Sequence, residues 1–102
     1  MKRLVLQRRA MRELVDARAY YRHEAPHMVG EFASTVDAEL QYLRQHAATG
    51  SPRYGLQLGM PGLRSLPVKR FPYVIFFLDQ GDHIVVVRVL HQARDIPAHL
   101  EP

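Results

Sequence analysis

The sequence predicts an α+β fold with an N-terminal strand and an antiparallel helical hairpin packed on a small antiparallel sheet. Three observations predict it: a short apolar run at the start, two long helical patterns separated by a proline, and strand-like apolar runs in the last third. A chain of 102 residues can bury enough surface for one core and little else. We therefore expect residues 1–102 to form a single domain.

The first two elements are a strand and a basic amphipathic helix. LVL at residues 4–6 is short and apolar, as a first strand would be. Beyond it, apolar side chains recur every three or four residues, which predicts a helix over residues 9–24 with Met11 and Val15 widening its apolar face. Like charges lie one turn apart on the opposite face, which is mildly destabilising unless a carboxylate or an outside anion neutralises them. The charges on this face are Arg8, Arg12, Arg18 and Arg22.

The second helix follows Pro26, which disfavours helix at the residue before it and can begin a new helix. TGSP at residues 49–52 ends the second helical pattern. So short a connection predicts an antiparallel αα-hairpin. The apolar positions of the second helix are Val29, Phe32, Ala33, Val36, Leu40, Leu43 and Ala47.

The last third of the chain predicts a loop and then a sheet. RYGLQLGMP at residues 53–61 is glycine-rich without a clear period, which predicts a surface loop. Apolar runs follow at residues 62–68, 73–78 and 83–90, and DQGD between the last two is typical of a β-hairpin. Because Pro67 would weaken a central strand, we expect the first run to be an edge strand or an irregular strand.

The two long runs are apolar on both faces of the predicted hairpin. One face must lie on the helices, since period-two alternation turns successive side chains to opposite sides. An open second face would expose several large side chains, so we expect a partner to dock there. The alternative, in which the long loop or the C-terminal tail covers this face, stays open.

The amino-acid composition limits the classes of partner and binding site that this protein can have. The net charge is +4, the pI is near 9.9, and twelve of the fourteen basic residues are arginine. Such a surface favours an anionic partner, whether nucleic acid, an acidic peptide or an acidic patch, although a coding preference for arginine would give the same composition. The absence of cysteine excludes disulfides and thiolate metal sites. The sequence shows no signal peptide or membrane span, so we expect a cytoplasmic protein.

The stretch VLHQARD at residues 89–95 places polar side chains, which cost free energy to bury, at the end of an apolar run. If the 62–68 run pairs beside the hairpin, Arg64, His91, Arg94 and Asp95 could converge at one rim of the sheet. One interpretation is structural: Asp95 pairs with Arg64 or Arg94 and caps the next turn. The functional interpretation is an anion-facing surface with a histidine that titrates near neutral pH.

No metal or cofactor is expected. His23 and His27 have the four-residue spacing of two ligands on a helix, but Pro26 intervenes and no carboxylate is clearly placed to complete the site. The glycines at 55, 59 and 62 do not precede a helical pattern, so they do not form a phosphate-binding loop.

Three motifs carry a family resemblance: GLR at residues 62–64, FPYVIFF at 71–77 and VLHQARD at 89–95. Their order and spacing resemble the ParE branch of the ParE/RelE toxin superfamily of bacterial type II toxin–antitoxin modules, over nearly the entire chain. The resemblance implies a helical hairpin packed on an antiparallel sheet. It also implies a cognate antitoxin whose acidic, amphipathic C-terminal segment wraps the toxin and holds it inactive.

The ParE branch implies a binding inhibitor. Its members resemble one another in docking on DNA gyrase and trapping its cleaved-DNA complex, which implies growth arrest and, for the module, plasmid stabilisation. Such a mechanism needs no catalytic set. The residues we expect to contact gyrase or antitoxin are Arg64, Tyr73, Arg88, His91 and Arg94.

The RelE branch implies a different activity, ribosome-dependent cleavage of messenger RNA by basic side chains and a C-terminal tyrosine or histidine. This sequence departs from that pattern, because its only lysines are Lys2 and Lys69 and Tyr73 occupies a strand position where the nucleases often have arginine. An inactive member that only binds an antitoxin is a further alternative. The catalytic residues of a nuclease would be His91, Arg64 and Arg94.

Overall fold

The computed structural model describes residues 1–93 and 96, apart from the side chain of residue 58. The predicted α+β fold is confirmed, and no helix in the described ranges has both the length and the apolar character needed to cross a membrane. Single 3₁₀ turns at Pro26–Met28 and Ala47–Thr49 precede the second and third helices. The elements are β1 (Arg3–Leu6), α1 (Arg8–Glu24), α2 (Val29–Gln45), α3 (Arg53–Leu58), β2 (Leu63–Pro67), β3 (Tyr73–Asp79) and β4 (His83–His91).

The four strands form one sheet in the order β1-β4-β3-β2. The strands β2, β3 and β4 pair antiparallel, as the hairpin signal predicts, and β2 lies at an edge. Strand β1 pairs with β4 in parallel, from Arg3 opposite His83 to Leu6 opposite Val86. The sheet is therefore mixed, and its first and last strands are neighbours.

The helical hairpin covers one face of the sheet with an aromatic cluster. Phe32 is fully buried, its ring centroid lies 4.9 Å from Tyr21 and 5.1 Å from Phe71, and Tyr73 lies 5.5 Å away. Buried aromatic side chains remove large apolar areas from water, and the Phe32 contacts with Phe71 and Tyr73 have the edge-to-face geometry that such rings prefer. This cluster fixes how α1 and α2 lie on β3.

The second face of the sheet is partly covered by the chain itself. Residues 53–58 form α3, so the prediction of a loop over 53–61 is wrong there. The ring of Tyr54 in α3 lies 5.3 Å from Phe76. These two side chains pack in a cluster with Leu63, Val74, Leu90 and Ile96. The structure therefore confirms the alternative, cover by the chain's own residues, for the β2–β3 half of this face.

A β-bulge changes which β4 side chains face the helices. The register shifts between Phe76 and Phe77, which leaves Val87 as an extra residue in β4. Beyond it Val89 joins the core under the helices and Leu90 joins the cluster under α3. Strict alternation, which places Val89 on the same face as Val87, is therefore wrong at this point.

Candidate functional site

Glu13 of α1 meets β4 where the pairing with β1 stops. Its carboxylate accepts hydrogen bonds from Arg88 Nε at 2.9 Å and Nη2 at 2.6 Å. It also accepts one from the backbone N–H of Val89 at 2.9 Å. Arg88 is only 9% exposed. The predicted contact residue Arg88 is thus held in a partly buried ion pair that closes an edge of the sheet.

Arg64 of β2 holds the connection between α2 and α3. Its Nη1 donates to the carbonyl oxygens of Gly50 at 2.7 Å and Ala48 at 3.4 Å. Gly50 also lies against the ring of Phe77, where an added Cβ would come within 2.6 Å of the ring. In this structure the arginine of the GLR motif therefore fixes a backbone turn.

Tyr73 and His91 meet at one end of the sheet. Tyr73 is 5% exposed, and its ring packs edge-on against the half-buried His91 ring at 5.3 Å. The His91 Nδ1 accepts a hydrogen bond from the N–H of Ala93 at 3.2 Å, so the neutral imidazole carries its proton on Nε2. His91 is the most accessible of the predicted contact residues at this end of the sheet. Arg94 and Asp95, with the ion pair and cap predicted for Asp95, lie outside the described residues.

Arg64 and His91 do not converge at one rim, so that expectation is wrong. Arg64 is level with Phe77, whereas His91 pairs with Tyr73, four residues further along β3. At the strand rise this separates them by about 13 Å along the sheet. The short connection between β2 and β3 could have shown this, because it places the end of β2, not Arg64, beside Tyr73.

The opposite end of the sheet carries two carboxylates, Asp79 and Asp82, whose pKa values are lowered. Lys2 Nζ donates to both oxygens of Asp79 at 2.7 and 2.8 Å. This bond, followed by one from the N–H of Gly81, lowers the pKa of Asp79 below its ordinary value of 3.8. A hydrogen bond with His83 likewise lowers the pKa of Asp82. Both carboxylates are therefore anionic at neutral pH.

An exposed apolar groove lies on the outer side of the helical hairpin, and we call it the hairpin groove. It has a volume of about 200 Å³. Met11 and Val15 of α1 are 52% and 54% exposed, although the sequence places them on the apolar face. The apolar face of α1 is wider than the sheet can cover, so Met11 and Val15 remain exposed. These two extra apolar positions were the sequence signal for the groove. Its lining residues are Met11, Leu14, Val15, Arg18, Phe32, Ala33, Val36, Asp37 and Leu40.

The lining of the hairpin groove includes one cation, Arg18, and one carboxylate, Asp37. The four arginines of the predicted basic face, Arg8, Arg12, Arg18 and Arg22, are all exposed on the same helix, α1. One of them, Arg12, approaches Asp16 at 3.9 Å, a distance at which an exposed pair contributes little. An apolar groove on a helix rich in exposed arginine is suited to an amphipathic partner that carries acidic residues.

The residues considered for metal binding lie apart from these surfaces. His23 Nδ1 lies 3.3 Å from Glu24 Oε1, and His27 falls in the 3₁₀ turn between the helices. Within residues 1–93 and 96, no three histidine, aspartate or glutamate side chains come together as possible ligands.

The fold and these surfaces define a small, basic α+β protein of the ParE/RelE toxin class. A solved structure described as the chromosomal ParDE TA system from P. aeruginosa matches with a TM-score of 0.73 and 23% sequence identity. The match covers 89% of this chain and 96% of that chain. Residues 4–96 match the family model described as ParE toxin of type II toxin-antitoxin system, parDE, and the chain belongs to that family. No curated protein matches the chain.

Proposed function

We propose that this protein is the toxin of a type II toxin–antitoxin module and that it arrests growth by binding DNA gyrase in the cytoplasm. The observation that carries the proposal is the family match over residues 4–96. In this mechanism the toxin traps the complex of gyrase with cleaved DNA. A cognate antitoxin prevents that contact until it is removed.

The hairpin groove supports neutralisation by an antitoxin. Met11 and Val15 offer apolar side chains to the apolar face of a docking helix. Arg18 in the lining, on a helix that carries further exposed arginines, favours acidic residues on the flank of the docking helix. An acidic, amphipathic C-terminal segment has both properties.

The arrangement of the basic residues supports a binding mechanism. Arg64 is engaged with two backbone carbonyls and Arg88 with Glu13. Phosphate cleavage needs cationic side chains and a proton donor around the same phosphate. Arg64 and His91 lie about 13 Å apart along the strands, which is too far for that shared role.

The experiment that tests this proposal compares the two targets in one culture and in purified form. The toxin is induced alone, and plasmid supercoiling and the half-life of translated messages are measured in parallel. We expect loss of supercoiling, inhibition of purified gyrase and unchanged message half-lives. Rapid loss of messages with normal supercoiling would replace the proposal with a ribosome-dependent nuclease.

Substituting His91→Ala separates the same alternatives at the residue level. A nuclease that uses this imidazole for proton transfer should lose about a hundredfold or more of its activity. A gyrase inhibitor should lose some affinity or none. The measurement is the toxin concentration that gives half inhibition of gyrase, beside message cleavage in a translation extract.

A further inference from the structure

A second groove lies between α2 and the edge strand β2, and we call it the α2–β2 groove. It has a volume of about 450 Å³. Its wall on the helix side comes from α2, its floor includes Leu66 of β2, and a smaller groove continues it toward Arg70. The lining residues are Ala38, Glu39, Tyr42, Thr49, Leu66 and Lys69.

Glu39 is the unusual member of this lining. It is only 8% exposed and lies at helical spacing between the buried residues Val36 and Leu43, where a core side chain would be expected. Among the described residues its carboxylate has no hydrogen bond and no ion pair. Every fully buried side-chain oxygen or nitrogen in those ranges has a partner, so the Glu39 oxygens reach solvent through the groove.

The Glu39 carboxylate meets solvent only through the groove, so a side chain that fills the groove must replace that water with hydrogen bonds of its own. The nearby cations do not occupy this position. Lys69 is exposed and forms no ion pair with Glu39, and Arg70 donates instead to Glu31 at 2.7 Å. Glu39 therefore presents a carboxylate without an internal partner in the described part of the chain to whatever enters the groove.

We propose that the α2–β2 groove binds an arginine side chain of a partner protein, with the guanidinium paired to Glu39. A guanidinium donates to a carboxylate through two parallel N–H groups. The ring of Tyr42 is 46% exposed and lines the groove; it stacks on His46 at 4.4 Å, so the guanidinium would stack on its other face. Ala38 and Leu66 provide apolar contacts for its methylene stem.

This chemistry also separates arginine from other ligands. A phosphate would be repelled by Glu39, which argues against nucleic acid in this groove. A lysine would pair with the carboxylate as a point charge but would use neither the paired donors nor the ring as fully. The inference holds for any partner that supplies the arginine, and it does not depend on gyrase being the target.

The binding test uses N-acetyl-arginine amide as the probe and the full chain labelled with ¹⁵N. We expect saturable shifts of the backbone amides of Ala38, Tyr42 and Thr49, and much smaller shifts with N-acetyl-glutamine amide at equal concentration. Glu39→Gln should weaken arginine binding roughly tenfold or more, since a charge-assisted bond is replaced by a neutral one. Glu24→Gln, at an exposed carboxylate on α1, is the matched control and should bind as the unsubstituted protein does.

Equal shifts with the arginine and glutamine probes would overturn the proposal. So would arginine binding that is unchanged by Glu39→Gln. Stronger binding of N-acetyl-lysine amide than of the arginine probe would overturn the assignment to arginine.

A stability measurement keeps the proposal falsifiable without a ligand. If the carboxylate is unpaired in the free protein, Glu39→Gln should keep or raise the melting temperature while it weakens arginine binding. A melting temperature lowered by several degrees would show that the carboxylate has an internal partner, and the proposal would fall.

An exposed arginine of a second copy of this protein could also fill the groove. A concentration-dependent dimer that Glu39→Gln abolishes in sedimentation experiments would overturn the assignment to another protein.

Discussion

At the scale of single residues, Glu13 supplies a hydrogen-bond acceptor to the part of β4 that extends past its pairing with β1. Its carboxylate binds one backbone N–H and two N–H groups of one guanidinium, so it satisfies a strand edge and a buried charge together. A carboxylate that accepts several bonds in a partly buried setting is costly to remove, because its partners lose their acceptor without regaining water. Stability should therefore depend on this side chain.

Glu13→Ala is expected to destabilise the fold by about 2–4 kcal/mol, because it leaves the side chain of Arg88, which is 11% exposed, without its carboxylate partner. The check is urea unfolding at neutral pH. Asp16→Ala on the same helix is the control, since Asp16 is 71% exposed and lies 3.9 Å from Arg12. It should change stability by less than about 0.5 kcal/mol. Equal losses in the two variants would contradict the assigned role of Glu13.

Substituting alanine for two different glycines should change stability in opposite directions. Gly50→Ala places a Cβ 2.6 Å from the Phe77 ring, so it should cost about 1–3 kcal/mol through overpacking. Gly30→Ala in α2 meets nothing within 4 Å and should stabilise the protein by about 0.5 kcal/mol through the better helix propensity of alanine. Thermal unfolding of both variants measures the two signs, and a stabilised Gly50→Ala would refute the packing at Phe77.

Residue roles were the least predictable part of the molecule. The sequence shows that Arg64 and Arg88 are arginines within apolar runs, and that pattern suits a contact surface as well as an internal hydrogen bond or ion pair. Which of the two occurs depends on Gly50 and Glu13, which are distant in sequence and carry no local signal. Met11 and Val15 are the exception, since they visibly widened the helical apolar face.

At the scale of elements, Lys2 holds the start of β1. Its backbone N–H donates to the Arg44 carbonyl at the C-terminal end of α2, and the Arg44 side chain donates from Nε to the Lys2 carbonyl. The Lys2 side chain pairs with Asp79 at the far end of β3. This residue ties the first strand to a helix and to the sheet.

The Lys2–Asp79 pair predicts a specific acid dependence. Because the folded pKa of Asp79 lies below its ordinary value of 3.8, its contribution to stability is complete above that value and is lost as the pH falls through the folded pKa. Both side chains are 33% exposed, so solvent screening limits the contribution to below about 1 kcal/mol.

Lys2→Met should raise the pKa of Asp79 toward 3.8 and flatten this part of the pH profile. Carboxyl chemical shifts followed against pH measure the pKa directly. Arg3→Met, at an exposed neighbour in β1, serves as the control. An Asp79 pKa that stays low in Lys2→Met would assign the shift to the Gly81 turn.

Periodicity predicted the long elements well and failed for the short one. Helices of seventeen residues such as α1 and α2 repeat their apolar positions enough times to be recognised. Helix α3 has six residues and contains Gly55, so it shows no period. It forms because Gly55 lets it approach β2, where a Cβ would lie 2.7 Å from the Leu63 carbonyl. Gly59, with φ of 64°, was the available signal for the end of a helix.

At the scale of the whole molecule, the sheet is covered on one face by the helices and on half of the other by α3, whereas the outer side of the helical hairpin is exposed. The sequence correctly indicated more apolar surface than one small domain can bury, but it placed the excess on the second face of the sheet. Chain geometry put α3 and Ile96 against that face and left Met11 and Val15 outside. Which apolar side chains stay exposed depends on tertiary packing, and composition does not determine that packing.

Val15→Glu tests the hairpin groove as the antitoxin surface. The side chain is 54% exposed, so the fold should tolerate the change, while an acidic helix should bind more weakly by about 1–3 kcal/mol. Leu56→Glu on α3, at 78% exposure, is the matched control outside the groove. Titration of each variant with the antitoxin that the proposed function requires gives the affinities, and equal affinities would place the antitoxin on another surface.

The parallel pairing of β1 with β4 also sets the order in which the molecule can be completed. Among the described residues, the nascent chain makes β1 first of the strands and its sheet neighbour β4 last. Pairings this distant in sequence form late, because closing the intervening loop has an entropic cost. A product of premature termination before β4 would lack the strand that pairs with β1, so we expect such fragments to remain unfolded.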